Sequence, residues 1–157
     1  RSFFYVWVDE NHRPSRVLRH VVGTDRSADT VVYEEADPGF FIGLGSTQSH
    51  RFVVIGAHDH ETSEDWLVDA DRPETPPRVV ARRETGVEYD VDHGGGLLYI
   101  RTNADGAEDF KIVTAPEDAA GRENWRGPLP PPLRGLGGQR RQRRTTPMAT
   151  RRTARAG

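Results

Sequence analysis

Cysteine is absent from the sequence. This absence excludes a disulfide framework, a thiolate zinc site and a cysteine nucleophile. Apolar runs are short as well: none approaches the roughly 20 residues of a membrane-spanning helix, so we expect no membrane partner. The amino terminus lacks the charged segment and small-residue cleavage site of a secretory signal, and we expect a cytoplasmic location. Because Arg1 leads directly into a strand-like run, we also expect the chain to start partway through a longer protein.

Acidic residues are missing from the last 34 residues of the 157-residue chain, a division that the net charge of -2 conceals. Residues 1–123 carry 24 acidic and 13 basic residues, a net charge of -11, whereas the remaining 34 carry nine arginines and a net charge of +9. After Trp125 the composition turns to Arg, Pro and Gly without hydrophobic periodicity. We therefore predict a folded part at 1–126 and a disordered basic tail at 127–157. A reading-frame shift in a GC-rich gene is our hypothesis for the tail.

The basic tail supports one alternative function, the binding of nucleic acid through neutralised phosphates. No aromatic residues stand between its arginines to stack on bases, so such binding would be nonspecific. We disfavour nucleic acid as a native partner for this reason.

Helical spacing is almost absent between residues 2 and 115, where apolar residues form short runs rich in Val, Ile, Phe, Tyr and Trp. Gly, Pro, Asp and Asn separate the runs, which is typical of β-strands joined by turns. Asp105-Gly106, for example, suits the positive φ angles of a hairpin turn. The pattern predicts an all-β protein with ten strands. They are expected at residues 3–9, 15–22, 30–35, 39–45, 51–57, 64–70, 78–81, 87–92, 97–102 and 109–114.

The strands recur with a period of about 45 residues. Residues 51–55 and 64–69 share their pattern with residues 96–100 and 108–113, and a similar pair begins at Ser2. Four strands in each period predict a β-propeller, here a partial one of about two and a half four-stranded blades. Because each blade packs between two others, we expect two broad apolar faces and insoluble or only partly ordered material when the chain is expressed alone. A free-standing propeller interaction module is the alternative.

Several motifs follow one another in a consistent order between Phe4 and Trp125. They include Asp9-Glu10-Asn11-His12-Arg13-Pro14, Asp37-Pro38-Gly39-Phe40-Phe41, His58-Asp59-His60-Glu61-Thr62-Ser63-Glu64 and Thr102-Asn103-Ala104-Asp105-Gly106. In this order the chain resembles the N-terminal propeller of oligopeptidase B, in the prolyl oligopeptidase family of serine peptidases.

The resemblance implies a seven-bladed propeller that caps an α/β-hydrolase domain and admits only short peptides. It also implies cleavage after Arg or Lys, so that short basic peptides are the expected partners of the full-length parent, with a Ser-Asp-His triad on the hydrolase domain. The chain has no G-x-S-x-G nucleophile elbow, since Gly45-Ser46-Thr47 lacks its spacing. We expect a propeller fragment without catalytic residues, inactive as a peptidase on its own.

Four glutamates are candidates for an acidic tunnel that attracts cationic peptides. Solvated blade edges explain the same residues equally well. The candidates are Glu34, Glu35, Glu84 and Glu88.

Four other segments suggest bound ions, but we predict neither a metal nor a cofactor. His58 and His60 would share one face of a strand, yet no third ligand completes a zinc site. The aspartates of 69–71 and 90–92 lack the glycine and distal glutamate of a calcium loop, so we expect their carboxylates to face solvent. Residues 43–47 lack the lysine and helix of a phosphate loop, and we expect an ordinary strand connection.

Four aromatic residues occupy equivalent positions in the repeats and are predicted to lie mid-strand. We expect them to pack between blades. They are Trp7, Trp66, Tyr99 and Phe110.

Overall fold

A computed structural model describes residues 1–127 of the protein. Almost all of the predicted tail, and with it the frame-shift hypothesis, lies outside these residues. The described part contains ten β-strands and three short 3-10 turns, at Arg26–Ala28, Ala104–Gly106 and Arg122–Asn124. The strands are β1 (Ser2–Val8), β2 (Pro14–Val21), β3 (Thr30–Glu34), β4 (Phe41–Ser46), β5 (Phe52–His58), β6 (Ser63–Asp69), β7 (Arg78–Val79), β8 (Tyr89–Gly94), β9 (Leu97–Thr102) and β10 (Lys111–Pro116).

The strands form three antiparallel sheets that follow one another along the chain. The first sheet has the order β1-β2-β3, the second β4-β5-β6-β7 and the third β8-β9-β10. An isolated bridge between Thr114 and Arg126 adds the beginning of a fourth strand beside β10. Strands β1, β5 and β9 each pair with the strand that follows them in the chain, as the sequence repeat indicated, although β1 is an edge strand and the other two are inner strands. The predicted all-β partial propeller is confirmed.

Strand alternation decides which side chains enter the interfaces between sheets. In β9, Leu98, Ile100 and Thr102 are buried, whereas Leu97 and Tyr99, which alternate with them, are exposed. Two hydrophobic clusters result, one on each side of the second sheet. The cluster toward the first sheet contains Val17, Ile42, Ile55 and Val68. The cluster toward the third sheet contains Phe52, Leu67, Val80, Ala81, Tyr89, Leu98, Ile100, Val113, Ala115 and Ala120.

The turns use the residues that their backbone angles require. Asp105 and Gly106 both have positive φ angles, of 58° and 75°, in the connection between β9 and β10, as predicted. Asp37 caps the turn at Pro38 and Gly39, because its carboxylate accepts the Gly39 N–H at 2.8 Å. Local turn chemistry therefore sets the strand boundaries.

The outward faces of the first and third sheets carry exposed apolar side chains. Phe3 and Trp7 project from β1, and Tyr99 and Ile112 project from the third sheet. Of the four predicted interface aromatics, Trp66 packs on Tyr33 across the first two sheets, at 5.5 Å between ring centroids. Trp7 and Tyr99 lie on the outward faces of the first and third sheets, each 40% exposed, so their packing between blades stays a prediction.

The predicted mid-strand position of Phe110 is wrong. This residue has a φ angle of 60° and ends the loop before β10. Its ring contacts the guanidinium of Arg101, at 4.6 Å from the ring centroid. The longer connection, with its 3-10 turn at Ala104–Gly106, moves the start of β10 two residues beyond the predicted position.

Candidate functional site

Strand β6 carries two adjacent acidic residues that face opposite sides of the second sheet. Glu64 pairs in register with Ala57, and Asp65 pairs with Gly56. Since neighbouring strand residues point in opposite directions, Glu64 faces the first sheet and Asp65 faces the third. Both side chains are buried. The two interfaces of the second sheet therefore each contain a buried carboxyl group.

On the side of the first sheet, Glu64 belongs to an Arg83 cluster that consists of Arg83, Glu35, Glu64, Tyr33 and Phe40. Arg83 Nη2 lies 2.6 Å from Glu35 Oε2 and 3.1 Å from Glu64 Oε1. Its guanidinium stands 3.9 Å from the centroid of the Phe40 ring. The Tyr33 hydroxyl donates to Glu35 Oε2 at 2.9 Å. One cation thus joins two buried carboxylates from neighbouring sheets.

The hydrogen bonds of this cluster hold Glu35 in its charged form. Burial alone would raise the pKa of the Glu35 carboxyl, but hydrogen bonds from Arg83, the Asp37 backbone N–H and Tyr33 lower it below its usual value. Burial and the neighbouring carboxylate raise the pKa of Tyr33, which therefore stays a donor. The Arg83 cluster is a fully paired ionic contact between sheets.

On the opposite side, Asp65 faces a cleft of about 440 Å³ between the second sheet and the start of β8. We call it the glycine cleft, because one wall consists of Gly43 and Gly45 on β4 and Gly56 on β5. Gly43 and Gly56 are direct partners across these strands. Glu88, just before β8, also lines the cleft. The cleft therefore combines a bare backbone wall with carboxyl groups.

Asp65 is the buried acid of the glycine cleft. Burial raises its pKa to about 7, the negative charge of Asp90 adds to this, and the backbone N–H of Val91 acts in the opposite direction. No salt bridge to Asp65 forms within residues 1–127. The Tyr89 hydroxyl accepts the Asp65 backbone N–H at 2.8 Å and donates to the Ala81 carbonyl at 2.6 Å. The backbone around Asp65 is therefore fixed while its carboxyl group stays without a cation.

The four glutamates predicted for an acidic tunnel lie in three different surroundings. Glu34 forms an exposed pair with Arg16, and Glu84 pairs with Arg122. Glu35 is buried in the Arg83 cluster. Glu88 alone of the four lines the glycine cleft. The tunnel stays a prediction for these residues.

The segments that suggested bound ions have other partners. His58 ends β5 whereas His60 lies in the following turn, where Asp59 accepts the backbone N–H groups of Glu61 and Thr62. Among residues 1–127 no group of three His, Asp or Glu side chains is arranged to hold a metal ion. Residues 43–46 are part of β4 itself rather than a connection.

Asp69 does not face solvent as predicted. Its Oδ1 lies 2.6 Å from Arg51 Nη1, and its Oδ2 lies 3.1 Å from Arg72 Nη2. Partial burial raises the pKa of this carboxyl, but the hydrogen bonds from Arg51, Asp71 N–H and Arg72 outweigh it and hold the pKa at about 2. Asp90 is exposed and pairs with Arg101 at 2.8 Å.

A second polar contact that the sequence pattern did not indicate joins the second and third sheets. Ser49 Oγ lies 2.8 Å from His93 Nδ1, and Gln48 N–H donates to Asp92 at 2.8 Å. His93 Nε2 stands 2.7 Å from Glu117 Oε2, an ion-pair distance without the alignment of a hydrogen bond. These groups lie 44 positions apart along the chain, so only the fold brings them together.

Arg83, Asp65 and the three glycines were also missed by the sequence interpretation. A usable signal exists for the cleft: Gly43, Gly45 and Gly56 stand at strand positions where the neighbouring interface residues are large and apolar. Glycine inside a strand marks a bulge or a close approach of another group. No local signal identifies the partners of Arg83, because they come from β6 and from the end of β3.

Comparison with known proteins locates the chain within one peptidase family. The model of the prolyl oligopeptidase N-terminal beta-propeller domain matches residues 1–132. Dipeptidyl aminopeptidase BI from Pseudoxanthomonas mexicana is 44% identical over 127 residues, 80% of this chain and 17% of that protein. Protease 2 from Moraxella lacunata is 36% identical over 113 residues, 72% of this chain and 16% of that protein.

The solved structures give the same result. Oligopeptidase B from Leishmania major superimposes with a TM-score of 0.72 at 36% identity, over 76% of this chain and 17% of that one. Oligopeptidase B from Trypanosoma brucei, with covalently bound antipain, gives a TM-score of 0.70 at 32% identity. The chain thus spans about 17% of the length of its relatives and matches their propeller domain, not the catalytic domain. Within residues 1–127, no helix has the length and apolar character to cross a membrane.

Proposed function

The chain belongs to the family of N-terminal β-propeller domains of prolyl oligopeptidases, and we propose that it forms part of the propeller of a serine peptidase that hydrolyses short peptides. In this role the blades restrict access to a hydrolase domain on the same polypeptide. The observation that carries the proposal is the match of the family model to residues 1–132, together with the blade-by-blade order of the three sheets. Catalysis belongs to the hydrolase domain, for which residues 1–127 provide no triad.

Cleavage after Arg or Lys is the specificity that we propose for the whole peptidase. The resemblance to oligopeptidase B supports it, as does the similarity to the two solved oligopeptidases B. The net charge of -11 on residues 1–123 would draw cationic peptides toward the propeller at low ionic strength. Nothing in the comparisons favours a free-standing interaction module or a nucleic-acid binder.

A chimera tests the gating role. Residues 1–127 replace the matching segment of the Pseudoxanthomonas mexicana relative, and labelling with a serine-directed inhibitor shows whether its hydrolase domain is folded. We expect a labelled chimera that cleaves short peptides and spares casein, because the substituted blades complete the barrier. A labelled chimera that digests casein would contradict the proposal. So would cleavage of an arginyl fluorogenic peptide by the purified chain alone, if the serine-directed inhibitor blocked it.

A further inference from the structure

The glycine cleft is open because side chains are missing, and the backbone does not require their absence. A Cβ atom built on Gly43 or Gly45 meets no atom within 4 Å, and neither residue has a positive φ angle. Glycine within a strand is destabilising relative to alanine. The second sheet thus keeps an empty wall where an apolar side chain would fit and stabilise it.

A buried carboxyl group without a cation stands at this wall. Asp65 is 8% exposed, and its Oδ1 would lie 3.0 Å from a Cβ atom on Gly56, so it projects over the glycine surface. Within residues 1–127 no side chain donates a hydrogen bond to its carboxyl group. By contrast, Glu35 and Glu64, the other buried acids of the second-sheet interfaces, both pair with Arg83.

The remaining charged groups around the cleft leave Asp65 and Glu88 as the available acceptors. Asp59 accepts the N–H groups of its own turn, and Asp90 pairs with Arg101. His58 also lines the cleft. A cation that entered would therefore meet two carboxyl groups and a flat surface of peptide backbone.

We infer that the glycine cleft binds the guanidinium group of an arginine side chain supplied by a peptide. A guanidinium is planar and can lie against the glycine wall, and its fork of N–H donors suits carboxylate acceptors. A lysine ammonium is a compact point charge and would use the flat wall less well. This binding goes beyond the proposed peptidase role, because it takes place between two blades and needs no hydrolase domain.

Peptide titration of the isotope-labelled full chain, kept dilute so that its exposed apolar faces do not associate, tests the inference. At about pH 8, where Asp65 is mostly ionised, acetyl-alanyl-arginine amide should shift the backbone amide resonances of Gly43, Gly45 and Gly56 saturably, with a Kd in the millimolar range or below. The citrulline peptide has the same shape without the charge, and we expect no saturable shift with it. Equal shifts with both peptides, or equal affinity for the lysine peptide, would overturn the inference.

Two variants separate the cleft from general charge attraction. G45V fills the wall and D65N removes the buried charge; each should weaken binding at least tenfold, a loss of about 1.4 kcal/mol. E34Q removes the same charge from an exposed site outside the cleft and should bind like the unaltered chain. Unchanged affinity in a folded G45V variant would contradict the inference. Because the readout is binding by the chain itself, this experiment can fail without any failure of the peptidase chimera.

Discussion

The two interfaces of the second sheet treat buried acids in opposite ways. Toward the first sheet, Glu64 and Glu35 share the guanidinium of Arg83, with Tyr33 as a further donor. Toward the third sheet, Asp65 has no salt-bridge partner within residues 1–127, and its pKa rises to about 7. Glu64 and Asp65 are neighbours on one strand, so the difference arises from what each interface supplies. Burial of Glu35 and Glu64 is compensated by the positive charge of Arg83. Burial of Asp65 is compensated by uptake of a proton, because its pKa is raised.

With the arginine binding that we infer, successive blade contacts of one propeller would divide stability and binding between them. The Arg83 cluster is complete and leaves no acceptor for a ligand. The glycine cleft leaves space, and its buried carboxyl group has no cation beside it. Buried acids without a cation and open strand walls cost stability, and such costs are concentrated at functional sites.

Loss of the shared cation should have the largest effect. R83M leaves two buried carboxylates uncompensated, and we expect the free energy of unfolding to fall by about 3–5 kcal/mol near neutral pH. Urea unfolding of the full chain at low concentration, followed by tryptophan fluorescence, measures it. R82M is the matched control, because Arg82 is exposed and contacts only the Trp66 ring among aromatic side chains. Equal losses of unfolding free energy in both variants would show that the ion pairs of Arg83 with Glu35 and Glu64 stabilise the fold no more than the contact of an exposed arginine does.

Substitution of Asp65, the buried acid without a salt bridge, should stabilise the fold. The pKa of Asp65 is about 7 in the folded chain against 3.8 as its reference, so ionisation destabilises the fold increasingly as pH rises between these values. D65N should therefore raise the free energy of unfolding by up to about 4 kcal/mol at about pH 8 and by little at about pH 4. Urea unfolding at both pH values measures the difference. A gain that did not depend on pH would contradict the assigned titration.

The smallest effects are expected at the exposed glutamates. E34Q and E84Q each remove one partner of a surface ion pair, which contributes little in water. We expect no measurable change in the urea midpoint of either variant. A loss comparable to that of R83M would show that exposed pairs hold the blades together as strongly as the Arg83 cluster does.

Much of the fold was predictable from local patterns. All ten predicted strands are present, since apolar alternation and turn residues act over a few positions. The exception at Phe110 is informative, because its aromatic character suggested a strand while the loop before β10 requires a positive φ angle there. Candidate sites were harder: of four predicted glutamates, only Glu88 lies at the glycine cleft. Charge alone does not reveal which acids find a partner.

The amino-acid sequence by itself determined the strands, the blade repeat and the membership in a peptidase propeller family. These follow from side-chain period, turn chemistry and motif order, which are properties of short segments. Only the tertiary structure decided that Arg83 meets Glu35, 48 positions earlier in the chain, and that Asp65 meets no cation in the described residues. The physical reason is that contacts between blades depend on the path of the loops and on the direction of each strand face. Two adjacent acids on β6 therefore acquired opposite electrostatic surroundings.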